Sequence, residues 1–194
     1  MKQRTVLFIV LWFLSCPGLL RADQFIPLSL PELAGKAELV VLGSILSKTC
    51  QQDDAGRIFT RVELQVTEVW KGAVSSKTLT VVQGGGILGS RGVAVSGQVD
   101  YAVSEQVVAF LVRNVRGEAV TLGLAQGKFH VSQDPRTSVK TVHNLFHGNP
   151  SAYRSAAAKE TTGAVHSLTL RQLKQAVQES RQSVPAGKTG GLSQ

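Results

Sequence analysis

Residues 58–72 read IFTRVELQVTEVWKG and contain the longest clean alternation of apolar and polar residues in the chain. Val62, Leu64 and Val66 fall on one face of an extended segment, and the polar residues between them fall on the other. This two-residue period is typical of a half-buried β-strand. The alternation slips after Val66, because Val69 is apolar where the period requires a polar residue.

The slip predicts a β-bulge or sharp bend near Thr67 and Glu68, since one extra residue reverses the phase of the side chains. A long strand that bends in its middle is typical of a small barrel. Apolar runs bounded by turn residues predict further short strands. These cover residues 39–48, 77–83, 106–113, 119–124, 128–132 and 138–142. About seven short strands predict a mainly β domain, an antiparallel barrel or sandwich.

Two helices are predicted at the ends of this β region. Ser29 is a candidate N-cap with Glu32 three residues later, which is the spacing of a capping box, and the helix should end near Ala37. Residues 169–181 form the second predicted helix, whose narrow apolar stripe should pack on the barrel. The stripe consists of Leu170, Leu173, Ala176 and Val177.

The N-terminal segment has the features of a secretory signal peptide. Lys2 and Arg4 precede the apolar run at residues 6–14, and Ala22 offers a small residue for cleavage before Asp23. The run is shorter than the roughly 20 residues that a membrane-spanning helix needs. The sequence therefore predicts an exported chain, periplasmic or secreted, with no membrane span in its mature part.

Two alternatives stay open for this segment. It can be retained as a membrane anchor, or Cys16 can carry a lipid, because residues 13–16 (FLSC) are similar to a lipobox. A Phe stands where the lipobox usually has Leu, which favours cleavage at Ala22 over a lipid anchor at Cys16.

The chain of 194 residues is long enough for one domain with a sizeable core. We expect residues 1–22 to form the signal peptide and residues 23–143 a β-barrel domain with an N-terminal helix. Residues 144–182 should supply a loop and a C-terminal helix that packs on the barrel. Residues 183–194 have the composition of a disordered tail.

The chain is basic, with a net charge of +8, or +5 once Lys2, Arg4 and Arg21 are removed with the signal peptide. Positive charge favours binding to nucleic acid. The basic residues are scattered and aromatic residues are few, however, and export removes most nucleic acids as partners. We therefore expect no nucleic acid partner and a solvated basic surface.

Cys50 is the only cysteine that remains after cleavage, which excludes an intrachain disulfide. Asp53 and Asp54 lie close to it in the sequence, and neighbouring carboxylates raise the pKa of a thiol. Cys50 can be a free thiol or can pair with another molecule, and the sequence favours the free thiol with no role as a nucleophile.

Three further motifs lack the context that their chemistry needs. Residues 84–89 (GGGILG) match the dinucleotide motif G-x-G-x-x-G, but the residues that follow are broken by glycine and include a β-like stretch at 93–95. We interpret this segment as a mobile loop at a barrel rim. His143 and His147 have the spacing of zinc ligands on a helix, yet they lie in HNLFHGNP and are interpreted as exposed loop residues. His130 is predicted to face solvent from a strand.

The remaining polar candidates also lack partners in the sequence. Ser90 does not lie in G-x-S-x-G, and Pro150 prevents glycosylation at Asn149. The carboxylates Asp100, Glu105 and Glu118 are read as isolated groups at strand ends. The sequence therefore predicts no catalytic residue, no cofactor, no metal and no enzymatic activity.

Several segments are arranged as in uncharacterised exported bacterial proteins. These segments are AELVVLGSI (37–45), VTEVWKG (66–72), VVQGGG (81–86), EQVVAFLV (105–112) and GLAQGKF (123–129). Over this half of the chain the sequence also resembles netrin-like and tissue-inhibitor-of-metalloproteinase modules, which are OB-fold barrels. The matches to their strand ends are Val66, Val69, Lys71, Gly72, Glu105, Phe110 and Leu111.

This resemblance implies a small antiparallel OB-like, netrin-like barrel. It does not transfer an inhibitory site, because those inhibitors use an N-terminal cysteine and this mature chain starts at Asp23. We expect an exported, non-enzymatic binding protein whose partner is another envelope or secreted protein. A secreted protease inhibitor or accessory protein is the first alternative, and an unrecognised hydrolase is the second.

Overall fold

The computed structural model describes residues 27–148 and 168–182 and has a mainly β architecture. The helices are α1 (Leu30–Lys36) and α2 (Leu170–Gln182), and a 3₁₀ turn spans Leu124–Gly127. The strands are β1 (Leu39–Gln52), β2 (Ile58–Lys71), β3 (Thr78–Gly84), β4 (Gly86–Leu88), β5 (Arg91–Val93), β6 (Gln106–Arg113), β7 (Ala119–Thr121), β8 (Lys128–Gln133) and β9 (Lys140–His143). The predicted signal peptide, Cys16, the cleavage site at Ala22 and Asp23, Asn149 and the predicted tail lie outside the described residues.

Seven strands form one sheet in the order β1-β2-β3-β7-β6-β8-β9, and β1 pairs with β6 as well. Strands β4 and β5 form a separate two-stranded sheet. All pairings are antiparallel except that between β3 and β7, which is parallel and consists of the single pair Val81 and Ala119. The prediction of a mainly β chain with a helix near each end of the β region is confirmed.

The predicted bulge in the central strand lies where the alternation slips. Val66 of β2 lies opposite Gly43 of β1, and Glu68 lies opposite Leu42, so Thr67 has no opposite residue on β1. A bulge of this kind bends the strand and increases its twist. Val62 and Leu64 are therefore buried on one face of β2 before the bulge, and Trp70 is buried on the opposite face after it.

The first half of β1 and most of β6 are buried on both faces, as the apolar run LVVLG predicted for the first half of β1. One face belongs to a core that includes Val41, Val62 and Tyr101. The other face packs beneath the helices, where Leu33 of α1 and Leu173 of α2 share a second core with Val40, Leu42, Val108 and Phe110. Burial of both faces is typical of a central strand, and it explains the near-continuous apolar sequence.

The first helix begins as the capping box predicted. The Ser29 side chain accepts a hydrogen bond from the Glu32 backbone amide, and the Glu32 carboxylate accepts one from the Ser29 amide at 2.8 Å. The helix ends with Ala37 as its C-cap. The second helix spans Leu170–Gln182, within one residue of the predicted range at either end, and buries Leu173 and Val177.

Three predicted boundaries are wrong for identifiable reasons. The glycine-rich segment was expected to be a mobile loop with a strand at 93–95; instead β4 and β5 form a hairpin that ends at Val93. The strand predicted at 119–124 stops at Thr121, because Gly123 has a φ of +60° and starts a 3₁₀ turn. The first strand continues past Lys48 to Gln52, since its polar second half pairs with β2.

We expect Gly43→Ala to lower the free energy of unfolding by about 1–3 kcal/mol, because the added methyl group would overlap the Gln65 carbonyl oxygen across the strand pair. Gly35→Ala is the matched control, since an added Cβ at this helical position meets no atom within 4 Å. That control should be neutral or stabilising by about 0.5–1 kcal/mol. Urea denaturation of both variants measures the difference, and equal stabilities would contradict the close approach.

Candidate functional site

A groove of about 900 Å³ lies where β3 and β7 meet, and it is the candidate functional site. The two strands share one residue pair only, Val81 with Ala119, so the pairing between neighbouring strands of the sheet is least extensive here. The groove runs from the outer face of β2 and β3, at Phe59, to the loop that joins them, at Val74. It is thus formed by strands that are distant in the sequence.

The groove has a partly apolar floor and a rim with charges of both signs. Leu39, Val74 and Leu79 are half-buried and pack against the core beneath the groove. The charged side chains on the rim are Glu38, Arg61, Arg113 and Glu118. This combination suits a ligand with both apolar and charged groups.

Arg57 fixes one end of the groove by joining the β1–β2 turn to the turn before β7. Its guanidinium group donates two hydrogen bonds to the Glu118 carboxylate, at 2.9 and 3.2 Å, and one to Asp53 at 2.9 Å. It also lies 4.5 Å from the centroid of the Phe59 ring. Hydrogen bonds from Arg57 and Asn114 hold the pKa of Glu118 below its usual value. Glu118 is therefore held ionised and oriented, and the prediction that it is isolated is wrong.

A second polar cluster forms at the start of β8, around the carboxylate of Glu105. The Glu105 side chain is only 9% exposed. Its carboxylate accepts hydrogen bonds from Lys128 Nζ at 2.7 Å and from the Ala102 amide at 3.0 Å. The same carboxylate lies 2.9 Å from His130 Nδ1. Burial opposes ionisation of Glu105, but these hydrogen bonds outweigh it and lower its pKa. Glu105 was read as isolated, and the structure overturns that reading as well.

Asp100 also has partners near this cluster. Its carboxylate forms an ion pair with Lys48 Nζ at 2.5 Å, and its backbone carbonyl accepts a hydrogen bond from Lys128 Nζ at 2.6 Å. The carboxylate itself is largely exposed. Lys128 therefore links the loop before β6 to β8 through both Asp100 and Glu105.

His130 and His143 are cross-strand neighbours on β8 and β9, with ring centroids 5.2 Å apart. His130 exposes 43% of its side chain, in partial agreement with the prediction that it faces solvent. His143 was predicted to be an exposed loop residue, which is wrong, because it lies on β9 and is half-buried. Burial and the neighbouring His130 lower the pKa of His143. Among the described residues, neither imidazole is hydrogen-bonded to a hydroxyl or thiol group.

His147 lies apart from this pair and has a structural role. Its ring stands 5.7 Å from the Phe129 ring, and its backbone amide donates a hydrogen bond of 2.7 Å to the Asn144 side chain. Burial lowers the pKa of His147. His147 lies in a loop, as expected, but it is half-buried rather than exposed.

The other residues singled out in the sequence do not meet in one place. The glycines at 84–86 lead from β3 into β4, and Gly86 is packed against Cys50 and Thr60. Cys50 is a free, half-buried cysteine. Ser90 is exposed at the β4–β5 turn. Within residues 27–148 and 168–182, no group of three or more His, Cys, Asp or Glu side chains is placed to hold a metal ion.

The sequence pattern missed the most important polar contacts, because they join distant segments. Arg57 and Glu118 are 61 residues apart, and no local period relates them. The one signal that was present is the two-residue spacing of Lys128 and His130, which places both on the same face of a strand.

Comparisons with protein-family models and with curated proteins found no match to this chain. Of the helices that the structure describes, none has the length and apolar character needed to cross a membrane.

We expect the stability of the protein to fall as the pH is lowered from about 7 to 5. The pKa values of His143 and His147 lie below the ordinary value of 6.5, so the folded state binds fewer protons than the unfolded state in this range. Stability conferred by the neutral imidazoles is therefore present above pH 6.5 and is lost as the pH falls through the folded pKa values. Glu105, whose pKa is also lowered, adds a further loss below about pH 4.5.

Urea midpoints measured between pH 5 and 7.5 check this expectation. His143→Gln should reduce the slope of stability against pH, because one of the titrating groups is removed. Thr141→Val on the same strand is the control, since it changes stability but no titrating group. A slope that stays the same in His143→Gln would refute the assignment.

Proposed function

We propose that this chain is an exported, non-enzymatic binding protein built on a closed OB-like barrel of netrin-like type. In this proposal it binds an extended segment of another exported protein in the groove between β3 and β7. The observation that carries this proposal is the groove itself, with its apolar floor, its rim of both charges and a strand edge along one side.

The order of strand pairing supports the barrel. β1 pairs with β2, β2 with β3, β3 with β7, β7 with β6, and β6 with β1, so these pairings return to the strand from which they started. The parallel pair between β3 and β7 is the place where a five-stranded ring of this order closes. The bulge at Thr67 supports it further, because a closed sheet needs bent strands.

The character of the groove supports a polypeptide as its occupant. Its volume of about 900 Å³ lies within the usual range of ligand clefts. The two glutamates and two arginines of the rim sum to zero charge, so the groove lacks the excess positive charge that favours nucleic acid. Its charges of both signs suit a polypeptide that carries both. A segment with apolar side chains and charges of both signs matches this lining.

The edge of β3 supports an extended conformation for that segment. Thr78, Leu79 and Thr80 pair with β2 on one side, and Val81 alone pairs with β7 on the other. In the part of the chain that the structure describes, residues 78–80 have no strand partner on the groove side. A free strand edge can pair with the backbone of an added strand, as in β-augmentation.

We expect Thr78→Trp to abolish binding in the groove, because the exposed side chain would fill it. Thr137→Trp is the matched control, since Thr137 is also exposed but lies in the turn between β8 and β9. Both variants and the native protein are immobilised and exposed to the envelope fraction of the producing cell. Partners retained by the native protein and Thr137→Trp should be lost at least tenfold on Thr78→Trp.

Amide hydrogen exchange then separates groove binding from binding elsewhere. A synthetic peptide that spans the contact region of a captured partner should slow exchange at Thr80, because its amide faces the edge of β3 away from β2, where the new backbone hydrogen bonds would form. Unchanged exchange there, or capture that Thr78→Trp leaves intact, would refute the groove as the binding site. A captured protease that loses activity on adding this protein would instead support the inhibitor alternative.

A further inference from the structure

His130 and His143 form a pair of imidazoles on β8 and β9, and neither of them lines the proposed groove. The two residues lie opposite each other in the strand pair, and their ring centroids are 5.2 Å apart. Directly opposite residues on antiparallel strands have their Cβ atoms about 4.5–5.5 Å apart, on the same face of the sheet. Strand pairing therefore holds two metal-binding side chains next to each other.

The carboxylate of Glu105 fixes the tautomer of His130. It lies 2.9 Å from His130 Nδ1, and the lowered pKa of Glu105 keeps the carboxylate ionised at neutral pH. Because an ionised carboxylate can only accept a hydrogen bond, Nδ1 of the neutral imidazole carries the proton and Nε2 keeps its lone pair. Histidines that bind metals commonly donate their other ring N–H to a carboxylate in this way.

His143 can supply the second nitrogen. Burial and the neighbouring His130 lower its pKa, so this imidazole is neutral at neutral pH. Among the residues that the structure describes, none forms a hydrogen bond with the His143 ring. Neutral imidazole is the commonest metal ligand among side chains, and the lone pair of this one is available.

The surroundings of the pair can accept a cation and water. Lys128 lies two residues before His130 on the same face of β8, but its ammonium group is 2.6 Å from the Glu105 carboxylate, so their charges offset each other. His130 exposes 43% of its side chain. The next residues of the two strands, Val131 and Val142, are buried on the opposite face, so the histidines lie on the side that water reaches.

The ligand type indicates which ions suit the pair. Imidazole nitrogen suits copper and zinc, whereas calcium takes oxygen ligands, and Cu²⁺ binds most tightly among the divalent ions of the first transition series. Two imidazoles on one tetrahedral ion, each at a nitrogen–metal distance of about 2.0–2.1 Å, have ring centroids about 5 Å apart, as this pair does.

Two protein ligands make an open site. No third His, Cys, Asp or Glu side chain among the described residues completes it, which leaves the other ligand positions to water. We propose that His130 and His143 together bind a divalent transition-metal ion, Cu²⁺ most tightly. An ion bound there joins β8 to β9, the strand at one end of the seven-stranded sheet, so the stability of the fold rises with the metal concentration.

Isothermal titration with CuCl₂ at neutral pH tests this proposal. Cys16 and Cys50 are replaced by serine in every protein tested, because a thiolate is itself a metal ligand. The resulting parent protein should bind one Cu²⁺ ion per chain at its tightest site, Zn²⁺ more weakly, and Ca²⁺ not at all. His130→Gln and His143→Gln should each weaken Cu²⁺ binding at least about tenfold, since even losing the hydrogen-bond partner of a ligand costs about 10–100-fold in affinity.

His147→Gln is the matched control, because it removes the other imidazole that the structure describes, one that packs on Phe129 instead. Its Cu²⁺ affinity should equal that of the parent protein. Thermal unfolding followed by circular dichroism shows that each variant is folded before titration. Added Cu²⁺ should raise the unfolding midpoint of the parent protein but not that of His143→Gln.

The proposal is overturned if the parent protein binds no Cu²⁺, or if either His130→Gln or His143→Gln binds it as tightly as the parent does. It is also overturned if His147→Gln loses the same affinity, or if Ca²⁺ binds as tightly as Cu²⁺, since oxygen ligands would then hold the ion. Electron paramagnetic resonance of the Cu²⁺ complex should show coupling to nitrogen nuclei, and a spectrum without it would overturn imidazole ligation.

Discussion

The structure depends on the first half of strand β1, where residues 39–44 pair with β2 on one edge and with β6 on the other while both faces are buried. A strand in this position contributes apolar side chains to two cores at once. Gly43 permits it, because the backbone of β1 approaches the Gln65 carbonyl too closely for any side chain at that position. The bulge at Thr67 lies opposite this close approach.

The polar groups of the structure follow from the same arrangement. Once β1 and β2 lie beside β3, β6 and β7, the turns at the ends of these strands meet, and Arg57 reaches Glu118. Glu105 at the start of β6 likewise meets Lys128 and His130 at the start of β8. The charges therefore join loops that the strands bring together, and they leave open the groove in which we propose a partner strand binds.

The sequence predicted most of the strands and both helices, because strands and caps obey local rules. The two-residue period and its slip placed β2 and its bulge, and the spacing of Ser29 and Glu32 placed the start of α1. The hairpin of β4 and β5 was missed, because glycines interrupt the alternation of its side chains and only three residue pairs join its two strands. The groove was also missed, because its lining comes from five strands and three connecting loops.

By itself the sequence determined the strand pattern, the helix caps and the apolar character of β1, since each depends on residues a few positions apart. Only the tertiary structure decided which polar groups have partners, because Arg57 and Glu118 are 61 residues apart and meet only when the sheet forms. It likewise decided that His143 lies beside His130 on a strand rather than in a loop. Contacts between distant residues depend on strand order and register, which a local pattern does not encode.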